Sequence, residues 1–539
     1  MKQQYYILLF IVLLQIHFIN SFDFINENQN QINLDDPSII ETSNGYVKGN
    51  LNDNYMSFYG IPFAQPPINN LRWQAPVAVS DWAPQVLDAR YPQFGCPQVC
   101  ELPPGTCPTN TSESCLFLNV FTPIQDSNQG LRPVMAFIPG GRFEQGAASS
   151  PLYNAEYMVN SSNAIVVTIN YRLGVLGFLL TDDFQGNYGF QDQRQALTWI
   201  QNNIKYFGGD PNQVTLVGQS AGATSIAAHM TSPLSWNLFH RAIIQSDPFT
   251  LGLKTKEVAQ EFSIQFTQAV KCSFDDTKCL LNLDVATILD GQVKAQQTIN
   301  PLQPLVSFLP WTPTVGGSDI IDQPYSLIQK NQFYDIPLII GTVSEEALLF
   351  IYQAAPKPVS GLDYEVVLDL VFLKNAEKVN QFYPANITSD NRPKLSVLGT
   401  DYIFVCPTKS VASYLSQYKT TPTYFYQFSH VISVDVWGPN YPYCVGHVCH
   451  GSELPFVFNT ATSTGYVITS AEQQLSYTMN NYWMNFVVNS DPNTGLAVPL
   501  EWPTFNTTTS MNINFQTPPF IESNLLNSNC NFFDSIGYK

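Results

Sequence analysis

One pentapeptide, Gly218-Gln-Ser-Ala-Gly222, places a serine between two glycines in a G-x-S-x-G pattern. A short apolar run, Val214–Val217, precedes it, and the segment from Ser220 to Met230 has the small, apolar residues of a packed helix. In a strand–turn–helix of this kind the tight turn strains the serine backbone, the glycines relieve crowding, and the hydroxyl stands at a helix N-terminus. The pattern predicts Ser220 as a nucleophile. The alternative is a glycine-rich turn with no catalytic role.

A serine hydroxyl needs a general base, and in this arrangement the chain order is Ser, then Asp or Glu, then His. Three histidines follow far enough along the chain: His430, His447 and His450. His450 begins a predicted loop that opens into the apolar run from Leu454 to Phe458. We therefore take His450 as the candidate base.

The acid that orients the base is expected at the end of a strand. Glu345 and Glu346 both directly follow the predicted strand Ile336–Ile340. Such a carboxylate holds the imidazole in one tautomer and stabilises the imidazolium. Position in the chain does not decide between the two neighbours.

An oxyanion hole requires backbone N–H groups aimed at the substrate carbonyl oxygen. One is expected from Ala221, the residue after the serine, and others from a turn after an earlier strand. Pro139-Gly-Gly-Arg142 is such a turn, since it follows the predicted strand Val134–Ile138. The alternative is an ordinary glycine-rich loop.

The elements that must position these residues alternate between short strands and helices. A helix is predicted over Gln191–Tyr206, and short β-rich apolar runs suggest strands buried on both faces. The alternation predicts an α/β fold with a central, mostly parallel sheet covered by helices, in which active sites lie at the carboxyl ends of the strands. The predicted strands are Val134–Ile138, Ala164–Ile169, Val214–Val217, Ala242–Ile244, Ile336–Ile340 and Tyr424–Phe428.

The N-terminus resembles a secretory signal peptide, with Lys2, an apolar run over Tyr6–Leu14 and a small residue at Ser21. That run is short for a membrane span, and no other stretch qualifies as one. We predict a signal peptide over 1–21, a single large domain over 22–539, and a protein secreted or held in the lumen of secretory or storage vesicles.

The cysteines and sequons agree with that compartment. Ten cysteines, an even number, predict disulfides in a secreted chain, with a pairing that spacing does not give. They are Cys96, Cys100, Cys107, Cys115, Cys272, Cys279, Cys406, Cys444, Cys449 and Cys530. N-x-S/T sequons mark four candidate glycosylation sites, at Asn110, Asn160, Asn386 and Asn506.

A zinc site is the rival interpretation of one segment. Cys444, His447, Cys449 and His450 fall close together, but this spacing is too tight for the usual two-plus-two arrangement of tetrahedral ligands. Secretion favours a Cys444–Cys449 disulfide instead. We expect neither a metal nor a cofactor.

The charge of the chain bears on its partners. The formal net charge is −18, and only 12% of residues are charged. Nucleic-acid binding rests on Lys and Arg contacts to phosphate, so that class is excluded. The expected partner is a small-molecule ester.

Beyond the elbow, several stretches resemble signatures of the type-B carboxylesterase/cholinesterase family, from about Gly45 to the C-terminus. Phe207-Gly-Gly-Asp-Pro211 runs into the elbow and completes a segment similar to the active-serine signature. The other matching stretches are Phe58–Pro67, Leu71–Trp73, Glu113–Val120, Asn170–Phe178 and Gly186–Gln193. The resemblance implies an α/β-hydrolase fold and a serine carboxylesterase. The Asn- and Gln-rich composition is similar to that of slime-mould members, some of which are stored in secretory vesicles.

Roles follow from the resemblance position by position. It implies Ser220 as nucleophile, Glu346 rather than Glu345 as acid, and His450 as base. It implies an oxyanion hole from Gly141, Arg142 and Ala221, with Gly140 in the same motif. It also implies the disulfides Cys96–Cys115, Cys272–Cys279 and Cys406–Cys530, which leave Cys100–Cys107 and Cys444–Cys449 as additional pairs by elimination.

Three residues depart from the family pattern. Arg142 stands where the family has Gly or Ala and is expected to crowd the acyl region; Gln219 replaces a Glu; Asp247 replaces a small residue. No Trp lies between Cys96 and Cys115, so the aromatic choline platform is missing and choline esters are disfavoured. The expected substrate is a neutral short- or medium-chain ester. The alternative is a weakly active or inactive binding, adhesion or storage protein on the same fold.

Overall fold

A computed structural model describes residues 36–124, 130–298, 304–386 and 388–538. The predicted signal peptide, 1–21, lies outside these residues. The strands of the described part are β1 Ile39–Glu41, β2 Tyr46–Lys48, β3 Asn50–Leu51, β4 Tyr55–Pro62, β5 Val86–Asp88, β6 Phe117–Pro123, β7 Arg132–Ile138, β8 Ile165–Ile169, β9 Gly209–Gln219, β10 Arg241–Gln245, β11 Leu338–Val343, β12 Thr423–Phe428, β13 Met511–Phe515 and β14 Phe520–Ser523.

Eleven of these described strands form one sheet in the order β14-β13-β12-β11-β10-β9-β7-β8-β6-β4-β3. The seven neighbouring strands β8, β7, β9, β10, β11, β12 and β13 are all parallel to one another. Antiparallel pairs are confined to the two sides, among β3, β4, β6 and β8 and between β13 and β14. A separate small sheet joins β1, β2 and β5.

Helices cover both faces of the large sheet. The α-helices are Glu156–Ser161, Gly174–Phe178, Tyr188–Asn203, Ala221–Thr231, Lys256–Ala269, Thr277–Leu281, Val285–Gln297, Pro304–Phe308, Pro324–Gln329, Leu348–Ala354, Gly361–Phe372, Ala376–Phe382, Arg392–Gly399, Cys406–Tyr418, Leu454–Val457, Ser470–Asn489 and Asn527–Ile536, with a π-helix over Thr400–Val405.

The central strands are apolar without interruption because each face is packed. Along β7, Val134, Ala136 and Ile138 belong to one apolar cluster, whereas Met135 and Phe137 belong to a second. Successive side chains of a strand point to opposite faces, so the two clusters are the cores on either side of the sheet. This confirms the predicted fold: an α/β-hydrolase fold with a central, mostly parallel sheet covered by helices in a single domain.

The carboxyl ends of the parallel strands meet at one edge. The turn Pro139–Arg142 follows β7, Ser220 follows β9, Asp247 lies just beyond β10, and Glu346 lies just beyond β11. Residues separated by more than two hundred positions in sequence are thereby brought together, as expected for this class of sheet.

All ten cysteines are paired. The pairs are Cys96–Cys115, Cys100–Cys107, Cys272–Cys279, Cys406–Cys530 and Cys444–Cys449. Within the described residues, no helix combines the length and the apolar character needed to cross a membrane.

Candidate active site

Ser220 occupies the turn between β9 and the helix Ala221–Thr231. Its φ of 57° and ψ of −123° lie in a region that L-residues rarely adopt. Its N–H donates to the carbonyl of Gln245 at 2.8 Å, which fixes the turn against β10. A Cβ on Gly222 would lie 2.1 Å from the carbonyl oxygen of Ile138, so only glycine allows the helix to start this close to β7. The strained elbow predicted around Ser220 is present.

His450 and Glu346 form a short hydrogen bond. Nδ1 of His450 lies 2.5 Å from Oε2 of Glu346, whose Oε1 accepts the Val343 N–H at 2.8 Å. The Glu346 side chain is fully buried. A buried carboxylate at Nδ1 favours the tautomer with its proton there, which leaves Nε2 as the acceptor.

The neighbouring Glu345 makes a parallel but separate contact. Its Oε1 lies 2.8 Å from Nδ1 of His447, and its Oε2 accepts the Val448 N–H at 2.7 Å. The Glu345–His447 pair is substantially exposed, in contrast to Glu346–His450. Together with the Cys444–Cys449 disulfide, Glu345 ties down the loop that carries His450.

Two further candidates from the sequence are His430 and the residues of the rival zinc interpretation. His430 contacts Glu472 at 3.2 Å and does not line the cavity that holds Ser220. Cys444 and Cys449, the two cysteines of the rival zinc interpretation, form the disulfide that the secreted compartment favours.

Gln219 takes the place at His450 that a serine would be expected to fill. Its Nε2 lies 3.0 Å from His450 Nε2. No hydrogen bond joins the Ser220 hydroxyl to His450 within the described part of the chain. With the Nδ1-protonated tautomer, the Gln219 amide donates to the lone pair that would accept the serine proton.

The glycine turn after β7 lies against the elbow. A Cβ on Gly140 would lie 3.1 Å from Ser220 Cβ and 2.5 Å from the Gln219 carbonyl oxygen. The Gly141 carbonyl accepts the N–H groups of Glu144 and Gln145, each at 3.0 Å, which closes the turn. The turn therefore lies directly beside Ser220.

Gly141, Arg142 and Ala221 are the residues predicted to form the oxyanion hole. Among the backbone contacts of the described residues, their N–H groups donate to no carbonyl. Arg142 has a φ of 61°, a left-handed conformation in which an L-side chain is strained.

The Arg142 side chain is held at the edge of the site. Nη2 lies 3.4 Å from Glu144 Oε2, and the buried Nε has no hydrogen-bond partner. Burial raises the pKa of the Glu144 carboxyl, and the Arg142 charge acts against that rise. The guanidinium is thus partly neutralised by a neighbour on its own loop.

A cavity of about 560 Å³ contains Ser220, His450 and the Gly140–Arg142 turn. Residues Glu101–Thr106, in the loop closed by the Cys100–Cys107 disulfide, also line this cavity. The Tyr441 hydroxyl donates to the Glu101 carbonyl, so this loop is bonded to the segment that contains Trp437, another lining residue. The cavity is large enough for a small organic ester.

Two aromatic rings flank the His450 imidazole. The ring centroids of Phe350 and Phe404 lie 5.0 and 5.3 Å from that of His450. They restrict the rotation of the imidazole and exclude water from one side of it. Neither contact was predicted from the sequence, although Phe350 lies only four residues beyond Glu346.

Behind the site, burial and the nearby Glu346 raise the pKa of Glu453 to about 8. Its Oε1 accepts from Gln245 Nε2 at 3.3 Å, and its Oε2 has no partner. The Glu453 carboxyl therefore keeps its proton near neutral pH and adds no negative charge to this part of the interior.

Comparison with known proteins identifies the family of this chain. Residues 36–533 match the model of the carboxylesterase family. The chain belongs to this family. Among its relatives, the cAMP-regulated D2 protein of Dictyostelium discoideum is 40% identical over 99% of this chain and 98% of its own length. The crystal protein of the same organism is 41% identical over 92% of this chain and 90% of its own.

A solved structure of a PNB esterase shares the fold of this carboxylesterase-family chain. The TM-score is 0.78 at 31% sequence identity, covering 92% of this chain and 99% of the other. The family assignment predicted from the signatures is thereby confirmed. The two Dictyostelium relatives carry names that denote no enzymatic activity.

Proposed function

We propose that this chain is a secreted serine esterase that hydrolyses carboxylic esters through an acyl-enzyme on Ser220. The observation that carries the proposal is the buried 2.5 Å Glu346–His450 hydrogen bond, in a cavity shared by His450 and Ser220. Family membership supports ester hydrolysis in general. No cofactor or metal is needed for this chemistry.

In the acylation step, His450 Nε2 accepts the Ser220 proton while Oγ bonds to the ester carbonyl carbon. This requires the Gln219 amide to release Nε2, since both donors compete for one lone pair. The developing negative charge rests on the N–H groups of Gly141, Arg142 and Ala221. Glu346 stabilises the imidazolium that forms.

Collapse of the tetrahedral intermediate breaks the bond to the alcohol oxygen, which takes the proton from His450 Nε2. Water then enters, His450 accepts its proton, and the resulting hydroxide attacks the acyl carbon. The acid leaves and Ser220 regains its proton. Each proton that His450 accepts is returned, so the enzyme ends in its starting state.

The substrate we propose is a neutral short- or medium-chain ester. Among the described residues that line the cavity, Glu101 and Arg142 carry permanent charges of opposite sign, and apolar side chains such as Leu152, Trp437 and Leu454 form much of the rest. A neutral ester requires no desolvated charge in such a cavity.

Secretion or storage in a vesicle lumen is part of the same proposal. The five disulfides fit an oxidising compartment. The side chains proposed to be glycosylated, Asn110, Asn160, Asn386 and Asn506, are all exposed.

A second candidate is a binding, adhesion or storage protein with little or no turnover. The Gln219–His450 contact favours it, because the base is engaged by an amide rather than by Ser220. If this contact persists in the presence of substrate, the serine stays un-ionised and the site only binds.

Labelling with a fluorophosphonate decides between the two. The proposed esterase forms a stoichiometric adduct that peptide mapping assigns to Ser220, and the Ser220→Ala variant stays unlabelled. A folded wild-type protein that gains no adduct would favour the binding protein. Labelling of Thr224→Ala, which retains Ser220, serves as the matched control for a hydroxyl on the same helix.

A further inference from the structure

Glu346, the proposed triad acid, lies in a tight turn just after β11. Before Glu346 the turn is fixed by the backbone, since the Ser344 N–H donates to the Phe428 carbonyl at 2.9 Å. After Glu346 the next N–H, that of Ala347, donates instead to the Thr400 hydroxyl at 3.0 Å. The second half of the turn is therefore fixed by a side chain 53 residues further along the chain.

Thr400 is the first residue of the π-helix Thr400–Val405. Such helices are rare and are found frequently at functional sites. A Cβ on Gly399, the residue before it, would lie 2.8 Å from the Cβ of Ala347. The absence of a side chain at Gly399 thus allows the helix to approach the turn closely enough for the Thr400 hydroxyl to reach the Ala347 N–H.

The same π-helix also contacts the proposed base. The ring centroid of Phe404, about one helical turn after Thr400, lies 5.3 Å from that of His450. Thr400 and Phe404 are both buried. Because residues four apart lie on one face of a helix, a single face contacts both the turn that carries the acid and the imidazole of the base.

The π-helix is itself fixed by the C-terminal helix Asn527–Ile536. Asp401 Oδ2 accepts from Asn529 Nδ2 at 2.7 Å. Cys406, the residue after the π-helix, is bonded to Cys530. A supporting element that is fixed in this way can set the position of the groups it contacts.

We propose that Thr400 is a positioning residue for the proposed ester hydrolysis. Its hydroxyl holds the Ala347 N–H and thereby directs the Glu346 carboxylate. That carboxylate must meet Nδ1 of His450 at 2.5 Å, and misplacement of a catalytic group by about 1 Å costs about 10²-fold in rate. The role rests on the proposed function, because Thr400 acts only through the acid and the base.

Two substitutions of Thr400 and one matched control test this role. Thr400→Val keeps the shape of the side chain but removes the acceptor, so kcat for p-nitrophenyl butyrate should fall about tenfold, with KM changed less than about twofold. Thr400→Ser retains the hydroxyl and should stay close to the wild-type kcat. The Thr408 hydroxyl, on the next helix, is buried with no hydrogen-bond partner among the described residues, so Thr408→Val should leave kcat unchanged.

Proton NMR supplies a readout that does not require turnover. The proton between His450 Nδ1 and Glu346 should resonate far downfield of the amide protons, and His450→Gln identifies the signal by removing it. Thr400→Val should shift or broaden this resonance, whereas Thr408→Val should leave it in place. If Thr400→Val does not fold, Gly399→Ala replaces it, because the added methyl group presses on the same turn and should produce the same changes.

The proposal is overturned by a wild-type kcat in folded Thr400→Val, by equal losses in Thr400→Val and Thr408→Val, or by equal losses in Thr400→Val and Thr400→Ser. An unchanged kcat in Gly399→Ala, where that variant is used, overturns it as well. If wild type shows neither turnover nor labelling of Ser220, the esterase proposal fails. The resonance then decides the role of Thr400, and an unmoved signal in Thr400→Val overturns it.

Discussion

The side-chain nitrogen of Gln219 lies 3.0 Å from Nε2 of His450, the atom that accepts the Ser220 proton in the proposed mechanism. The residue that immediately precedes the nucleophile therefore competes with it. Because the two donors share one lone pair, the proposed mechanism requires the Gln219–His450 contact to open during turnover.

Removal of that competitor is expected to speed the reaction. Gln219→Ala frees Nε2 and should raise kcat/KM by about threefold to tenfold, for a net hydrogen bond of about 1 kcal/mol. Steady-state hydrolysis of p-nitrophenyl butyrate measures this. Gln353→Ala, at another amide that lines the cavity, is the control and should change little. A lower rate in Gln219→Ala would mean that the amide positions the base productively.

The two neighbouring glutamates are expected to differ sharply. Glu346→Gln leaves His450 without its buried acceptor and should lower kcat by about 10³- to 10⁴-fold. Glu345→Gln disturbs only the exposed contact with His447 and should cost less than about tenfold. Comparable losses in the two variants, both folded by circular dichroism, would contradict the assigned acid.

Arg142 is expected to limit the acyl chain. Arg142→Gly retains the oxyanion N–H, relieves a φ of 61° and opens the cavity, so the ratio of kcat/KM for octanoyl over acetyl esters should rise by about threefold to tenfold. Arg142→Lys, which keeps a long cation, should preserve the wild-type ratio. An unchanged ratio in Arg142→Gly would place the limit elsewhere.

The Cys444–Cys449 disulfide is expected to position His450 and to contribute little to the free energy of unfolding. Its loop is short, so its removal changes the entropy of the unfolded chain less than removal of Cys406–Cys530, which closes a loop of 124 residues. The double variant Cys444→Ser/Cys449→Ser should lower kcat by about tenfold through misplacement of His450. Cys272→Ser/Cys279→Ser, away from the cavity, should leave kcat unchanged, and equal losses would refute the positioning role.

Glu453 is expected to make stability pH-dependent. Its pKa is raised from 4.5 to about 8 in the folded protein, so the folded state retains a proton that the unfolded state loses. Its contribution to stability is therefore lost as the pH rises from about 4.5 to 8. Glu453→Gln should melt at a higher temperature than wild type by a margin that grows between pH 5 and pH 8, measured by scanning calorimetry. A margin independent of pH would contradict the raised pKa.

Much of this arrangement was predictable because local patterns and parallel-strand topology agree. The apolar run predicted over Val214–Val217 is the middle of β9, and the helix predicted from Ser220 begins at Ala221. A predicted strand over Ile336–Ile340 is found at Leu338–Val343, two to three residues later, because Pro337 cannot donate to a neighbouring strand. Glu346 still follows that strand closely.

The contacts that set the state of the site were not predictable in the same way. The Gln at 219 was visible as a departure from the family, but its approach to His450 depends on a loop more than two hundred residues away. Hydrophobic patterning predicts which segments are strands and which of their faces are buried. Contacts between side chains from distant segments depend on tertiary packing instead.

Hydrolysis of a p-nitrophenyl ester series, from acetyl to octanoyl, by purified wild type beside Ser220→Ala tests the central claim most directly. The account predicts turnover by wild type on the short and medium esters, and loss of that turnover by about 10³-fold or more in the variant. Folded wild-type protein no faster than Ser220→Ala on every ester would contradict it.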